Sequence, residues 1–398
     1  MTPRGLNAPD LRRGNRAALL RLVYRHRAIA RNDLANILGL TRAAVTILVN
    51  DLLKEGLVEE AGSSGAAGHA GRRKVFLRIR PEAGLLLGFG VDHEKVQAVL
   101  SDLSGKVLAS RNLPSPAVPS LSGAQAAGPI IGFIREASAG LLGGVSCEKA
   151  GVLGAGIGVT GRVDSKAGLS LREPRLWEGP VDLKAPLETA LGIPVAVDNN
   201  VRSLSLAETL LTEASDTSPA GLLFVKYGPG VGAAWTVGGI PWQGVHHRAG
   251  ELGHTLVELS GPECPYCGRR GCLESLVSAK ALGDILNMPG ARADVLTAEL
   301  ERRDPKAFST LAARFARAVG NAIELYDPGT VALYGLPFRN DKLLKAVLDR
   351  VESNERPCVV RRSFLDPELP ALGGIALALN ELLEKGAIPP KGESNVSR

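Results

Sequence analysis

One histidine and three cysteines, His254, Cys264, Cys267 and Cys272, fall within nineteen consecutive positions. Imidazole and thiolate are the donors that close a four-coordinate structural zinc site. Gly268 and Gly271 permit tight turns between the donors. The spacing therefore predicts one structural zinc per chain, against the alternative of free cysteines beside an unrelated histidine. Cys147 and Cys358 stand apart, so the five cysteines of this 398-residue chain do not form a disulfide framework. Cys264-Pro265-Tyr266-Cys267 also has a redox spacing. It falls in a loop, however, and does not open a helix after a strand.

A second group of residues has the chemistry of nucleic-acid recognition. Thr41 is a suitable N-cap for a helix running to about Leu53, with Val45, Leu48, Val49 and Leu52 on its apolar face. Arg42, Ala43, Thr46 and Asn50 occupy the other face. Small residues at Ala43 and Ala44 would let this helix approach the floor of a major groove. Arg42 suits a phosphate or a guanine edge, and Thr46 and Asn50 suit base edges. Arg72, Arg73 and Lys74 form a basic run downstream.

The elements that must position these residues are legible in the apolar periodicity. Leu19, Leu22 and Val23 mark a helix over Asn15 to Arg27, and Leu34, Ile37 and Leu38 an inward face of a second over Asn32 to Leu38. Gly39 supplies the turn of a helix-turn-helix. Gly56 to Glu60 and Val75 to Arg80 read as two strands around a Gly/Ala/Ser-rich loop. They form a hairpin wing whose basic root could reach an adjacent minor groove. Residues 1–80 hold fifteen Arg and Lys against six Asp and Glu, a surplus of nine in a chain of net charge +6, so the remainder carries −3. A basic head on a mildly acidic body fits DNA binding, against the plainer reading of a solvated basic face.

After Pro81 the composition changes. Leu85 to Asp92 reads as a buried strand, followed by strands at Lys95 to Leu100 and Lys106 to Ser110, and strands alternate with helices to about residue 383. The fold class is therefore α/β, with a winged helix-turn-helix over residues 1–80, a body over 81–388 and a polar, disordered tail over 389–398. Met1 to Arg12 has no apolar signal-peptide core and no stretch reads as a membrane span. The expectation is a cytoplasmic protein without a membrane partner.

Over nearly its whole length the chain resembles the ROK family (repressors, open reading frames and sugar kinases), in the winged-helix branch of xylose-, N-acetylglucosamine- and glucose-type repressors. The most specific segment is Glu251-Leu252-Gly253-His254 followed by Cys264-Pro265-Tyr266-Cys267-Gly268-Arg269-Arg270-Gly271-Cys272-Leu273-Glu274. The family's usual pattern has a single residue between the first two cysteines, where this chain has Pro265 and Tyr266. The resemblance implies a two-lobed actin/hexokinase-like (ribonuclease H-like) body with a ligand cleft, one lobe over about 81–198 plus the C-terminal helix and the other over about 199–370.

By the same resemblance, Glu251, His254 and Glu274 contact sugar hydroxyls, with Asn199 and Asn200 beside them. In the family's kinases an Asp at the Asn200 position is the general base. An amide cannot take the hydroxyl proton, so binding without phosphorylation is expected. Asp92-His93-Glu94-Lys95 replaces a glycine-rich phosphate loop, and Tyr334-Gly335-Leu336 a late Gly-Gly pair; Gly228-Pro229-Gly230-Val231-Gly232 keeps its glycines. Arg175 replaces a sugar-contacting Asn. It either faces the ligand, which would then carry a carboxylate or phosphate, or faces solvent. The resemblance thus implies a sugar-responsive repressor of carbohydrate genes that is not an enzyme. It would bind a palindromic double-stranded operator as a homodimer or homotetramer and respond to a monosaccharide or sugar derivative. The alternative is an active ROK sugar kinase with an appended DNA head.

Overall fold

The computed structural model describes residues 7–64, 74–144, 151–212, 221–351 and 358–386. The chain divides into two compact units, residues 1–198 with 371–398, and residues 199–370. The expected tail, 389–398, lies outside the described residues.

The first unit opens with α1 (Ala8–His26), β1 (Ile29–Ala30), α2 (Arg31–Leu38), α3 (Arg42–Lys54), β2 (Val58–Ser64) and β3 (Lys74–Ile79). The strands pair antiparallel in the order β1-β3-β2, which makes a winged helix-turn-helix. α1 begins well before its apolar stripe because Asn7 Oδ1 caps it, accepting from Asp10 N at 2.9 Å. Gly39, at φ 64°, ends α2. Thr41 Oγ1 then starts α3 by accepting from Ala44 N at 3.2 Å. Leu19, Val23, Leu34, Val45, Val49 and Leu52 form the buried centre. Ile37, expected to face inward, is instead 54% exposed. The buried stripe of α2 runs through Leu34 and Ala35, and Ile37 falls about a third of a turn away from it.

The unit continues with β4 (Leu85–Val91), β5 (Lys95–Asp102), β6 (Val107–Pro114), β7 (Val118–Ser122), α4 (Gly123–Leu142), β8 (Val152–Val159), β9 (Arg162–Asp164), β10 (Leu169–Arg172), β11 (Trp177–Glu178), β12 (Val181–Asp182), α5 (Lys184–Leu191) and β13 (Val195–Asn199). Its main sheet has the order β13-β8-β4-β5-β6. The second unit holds α6 (Asn200–Leu211), β14 (Leu222–Tyr227), β15 (Val231–Val237), β16 (Ile240–Pro241), α7 (Leu273–Val277), α8 (Ala279–Leu286), α9 (Ala293–Arg303), α10 (Pro305–Tyr326), β17 (Thr330–Tyr334), α11 (Asp341–Val351) and β18 (Val359–Arg362). Its sheet has the order β16-β15-β14-β17-β18. α12 (Leu372–Lys385) then returns to the first unit.

Each main sheet is an antiparallel three-strand meander whose first strand also pairs in parallel on its other side, β4 with β8 and β14 with β17. β4 and β8 are buried almost throughout, which explains their near-continuous apolar sequence. The two sheets share one strand order and are open, the repeated-lobe arrangement of an actin/hexokinase-like fold.

α12 lies directly on β4 and β8 because Gly88, Gly156 and Gly374 have no side chains there. Its far end receives α1. Arg21 donates to Asn380 Oδ1 and Glu384 Oε1, both at 3.1 Å, while Arg16 bonds the Gly386 carbonyl and Glu55. Tyr24, buried, donates its hydroxyl to the Ser104 carbonyl at 2.7 Å. The winged helix is thereby packed into the first unit. Among the described residues no single helix is long and apolar enough to cross a membrane.

Candidate functional site

In the second unit the four candidate metal ligands converge. The donor atoms of His254, Cys264, Cys267 and Cys272 all lie within 4.8 Å of one another. His254 Nδ1 is 3.8 Å from Cys264 Sγ, close to the roughly 3.5 Å expected for sulfur and nitrogen on one zinc. The backbone builds this knuckle: Cys264 N donates to Arg269 O at 2.8 Å, and Gly268 N to Cys264 O at 2.9 Å. Gly271, at φ 74°, packs so tightly that a Cβ there would sit 2.0 Å from Glu258 O. Burial pushes the Cys264 thiol up to about 12. Burial works against the Cys267 thiolate too, but hydrogen bonds from the Arg269 backbone and neighbouring thiols outweigh it and lower that group. Cys264 to Cys267 is a turn, not a helix start, as the sequence indicates. The donor set fits a metal ion.

The knuckle also places carboxylates. Cys272 precedes α7, which carries Glu274 in its first turn. Glu274 Oε2 accepts from Val231 N at 2.9 Å and lies against Gly230 and Gly253. Glu251 Oε2 is 3.8 Å from His254 Nε2, so the imidazole presents one nitrogen to the thiols and the other to a carboxylate. Glu251, His254 and Glu274 are thus brought together. Asn199 and Asn200 start α6, and Val201 beside them packs against Gly232 of β15. Asn199 Oδ1 caps that helix through Val201 N and Arg202 N, at 2.9 and 3.2 Å. Asn200 occupies the first turn of α6 and is half-buried.

Arg175 belongs to the first unit. Its Nε donates to Glu173 Oε1 at 3.0 Å, and its side chain is 37% exposed over a buried carboxylate. Much of its charge is therefore met within the protein.

The two loops that correspond to the family's phosphate loops make hydrogen bonds within the protein. Asp92 Oδ1 accepts from both Glu94 N and Lys95 N at 2.8 Å, so those N–H groups are already engaged. In the second loop, Val231 N is engaged by Glu274. Gly335, at φ 136°, leaves no room for a side chain, since a Cβ would lie 1.8 Å from Tyr227 O.

In the winged helix, Arg42, Ala43, Thr46 and Asn50 are exposed on α3, and Thr41 is spent as its cap. Thr46 Oγ1 donates to Arg42 O at 2.8 Å, and Asn50 Oδ1 accepts from Arg31 Nη1 at 3.1 Å. Arg72 and Arg73 lie outside the described residues, and Lys74 begins β3, paired with Ser64. Sequence reasoning missed Ile47, exposed on this same face, and Arg31, which holds Asn50. The phase of the buried stripe carried the signal for Ile47; nothing local carried it for Arg31.

Comparison with known proteins agrees with this arrangement. The chain is 28% identical over 284 residues to a xylose repressor of Caldicellulosiruptor bescii, covering 69% of this chain and 66% of that protein. The chain spans 64% to 66% of the length of the xylose repressors it matches. It is 25% identical over 408 residues to the DNA-binding transcriptional dual regulator NagC of Escherichia coli, covering 96% of this chain and 97% of NagC. Among solved structures, a ROK family transcriptional regulator homologous to the E. coli MLC protein superposes with a TM-score of 0.77 at 21% identity, over 94% of this chain and 97% of that one. A ROK hexokinase from Thermus thermophilus superposes with a TM-score of 0.60 at 24% identity, over 75% of this chain and 99% of that one. The ROK family pattern itself matches residues 87–381, most of the chain, and the chain belongs to that family.

Proposed function

We propose that this protein is a sugar-responsive DNA-binding transcriptional regulator, a repressor of carbohydrate uptake or catabolism genes. The observation that carries the reading is a winged helix-turn-helix with an exposed α3 face, on the same chain as the converging Glu251, His254 and Glu274. Carboxylates and imidazole suit a ligand with clustered hydroxyls. The names of the repressor relatives support the same reading. We assign zinc to the His254, Cys264, Cys267 and Cys272 cluster, one ion per chain, as a structural site that seats Glu274. Operator binding takes a homodimer or homotetramer, so that recognition helices meet the two halves of a palindrome. The test is selection of DNA from a random duplex pool by the full chain, then titration with monosaccharides and sugar phosphates. One sugar should shift operator affinity by about tenfold, within the usual range of allosteric coupling. Absence of any sequence preference would overturn the DNA assignment, and a flat response to every sugar would overturn the effector assignment.

The kinase-like fold favours a second reading, an active sugar kinase, which the site chemistry opposes. Asn200 is an amide where a proton acceptor is required, and Asp92 occupies the N–H groups of its own turn. With ATP and a panel of hexoses and pentoses, ADP release is expected to match the protein-free control. Sugar-dependent turnover at about 1 s⁻¹ or faster, an ordinary kinase rate, would establish the kinase instead.

A further inference from the structure

α3 buries Val45, Leu48, Val49 and Leu52. Counting about 100° per residue, Ala43, Ile47 and Asn50 lie about 150–170° from the centre of that stripe, and Thr46 only about 110°. Ile47 therefore stands near the middle of the outward face, and it is 56% exposed. A lone exposed isoleucine elsewhere on a protein would carry no meaning. Here its neighbours give it one. The Thr46 hydroxyl donates its proton to Arg42 O, and Asn50 Oδ1 already accepts from Arg31, which Glu60 holds from its other side at 3.2 Å. The polar groups on this face are partly spent within the protein. The methyl groups of Ala43 and Ile47 have no such engagement.

Only one group on a base edge in the major groove is apolar, the C5-methyl of thymine. Ala43 and Ile47 are four residues apart on one helix face, a rise of about 6 Å, or about two base steps of 3.4 Å. We infer that Ile47 is a specificity-determining residue that reads a thymine methyl in each operator half-site, with Ala43 against a base about two steps away. This rests on the DNA-binding reading above and names what that face recognises.

The experiment uses the duplex selected from a random pool by the full-length protein. Each thymine is replaced in turn by deoxyuridine, which lacks only the methyl, and affinity is measured by fluorescence anisotropy. At one thymine per half-site the loss should be about fourfold, the equivalent of one buried methyl group. Ile47→Ala should bind the thymine duplex about fourfold more weakly and no longer distinguish it from the deoxyuridine duplex. Ile47→Val, which keeps a branched methyl, should retain part of the discrimination. Should Ile47→Ala fold poorly, Ile47→Val decides, and discrimination equal to that of the unchanged protein overturns the inference. A selected duplex that tolerates deoxyuridine at every thymine overturns the inference while leaving DNA binding intact. Undiminished discrimination by Ile47→Ala also overturns it. A pool that yields no preferred sequence overturns the DNA-binding reading itself.

Discussion

Cys272→Ser is expected to release the metal, with zinc falling from one ion per chain to none, and to abolish the response of DNA binding to sugar. Cys272 is fully buried and immediately precedes α7, so its loss removes a donor and loosens the first turn that carries Glu274. Glu274 in turn holds Val231 N and packs on Gly253, between Glu251 and His254 in the chain. A metal bound there would hold together a segment whose secondary structure is only a short 3-10 turn at Leu252–His254, isolated bridges and a five-residue helix. Binding of a structural zinc contributes about 10–16 kcal/mol in small domains, more than most of them hold in net stability. Chelation of the unchanged protein should produce the same loss, seen as a lowered first melting transition. Metal analysis with thermal melts checks both. A metal-free chain that stays folded and sugar-responsive would refute the assignment.

Gly156→Ala should cause a large loss of stability for one added methyl. A Cβ at Gly156 would lie 2.0 Å from Gly374 O and 2.9 Å from Ala378 N, both backbone atoms of α12. Rotation of a side chain cannot relieve such a contact, so the helix must lift from the sheet. Gly88 and Gly374 make the neighbouring approaches, with hypothetical Cβ contacts of 2.5 Å to Ala371 O and 2.3 Å to Gly156 O. Overpacking usually costs about 1–3 kcal/mol, and a clash with backbone belongs at or above the top of that range. That corresponds to a fall in melting temperature of about 10 °C. DNA binding should weaken as well, because the same helix supplies Asn380 and Glu384 to Arg21 on α1. Gly128→Ala on α4 is the control. Nothing lies within 4 Å of its Cβ position, and removing a glycine from a helix interior should be neutral or stabilising by up to about 1 kcal/mol. Equal melting of the two variants would show that α12 does not need its close seat.

By itself, the amino-acid sequence determined features that depend on near neighbours. Thr41 caps α3 because its hydroxyl is three residues from the N–H it serves, and Val45, Leu48, Val49 and Leu52 share a face by helical spacing. The metal donors crowd into nineteen positions, so the short turns at Gly268 and Gly271 suffice to gather them. Asn200 is an amide wherever the chain places it. Only the tertiary structure decided what depends on distant partners. Arg31 engages Asn50 from nineteen residues away, and Asn380 on α12 meets Arg21 across 359. The pairing of Arg175 with the buried Glu173, two residues away, also escaped the sequence, because the pair forms only where β10 and β11 turn that carboxylate inward. Caps and helical faces follow from bond geometry over a few residues. The partner that satisfies a guanidinium, or the backbone that approaches a glycine, is set by the order in which strands pair, and the repeated sheet order arises from contacts between residues far apart in the chain.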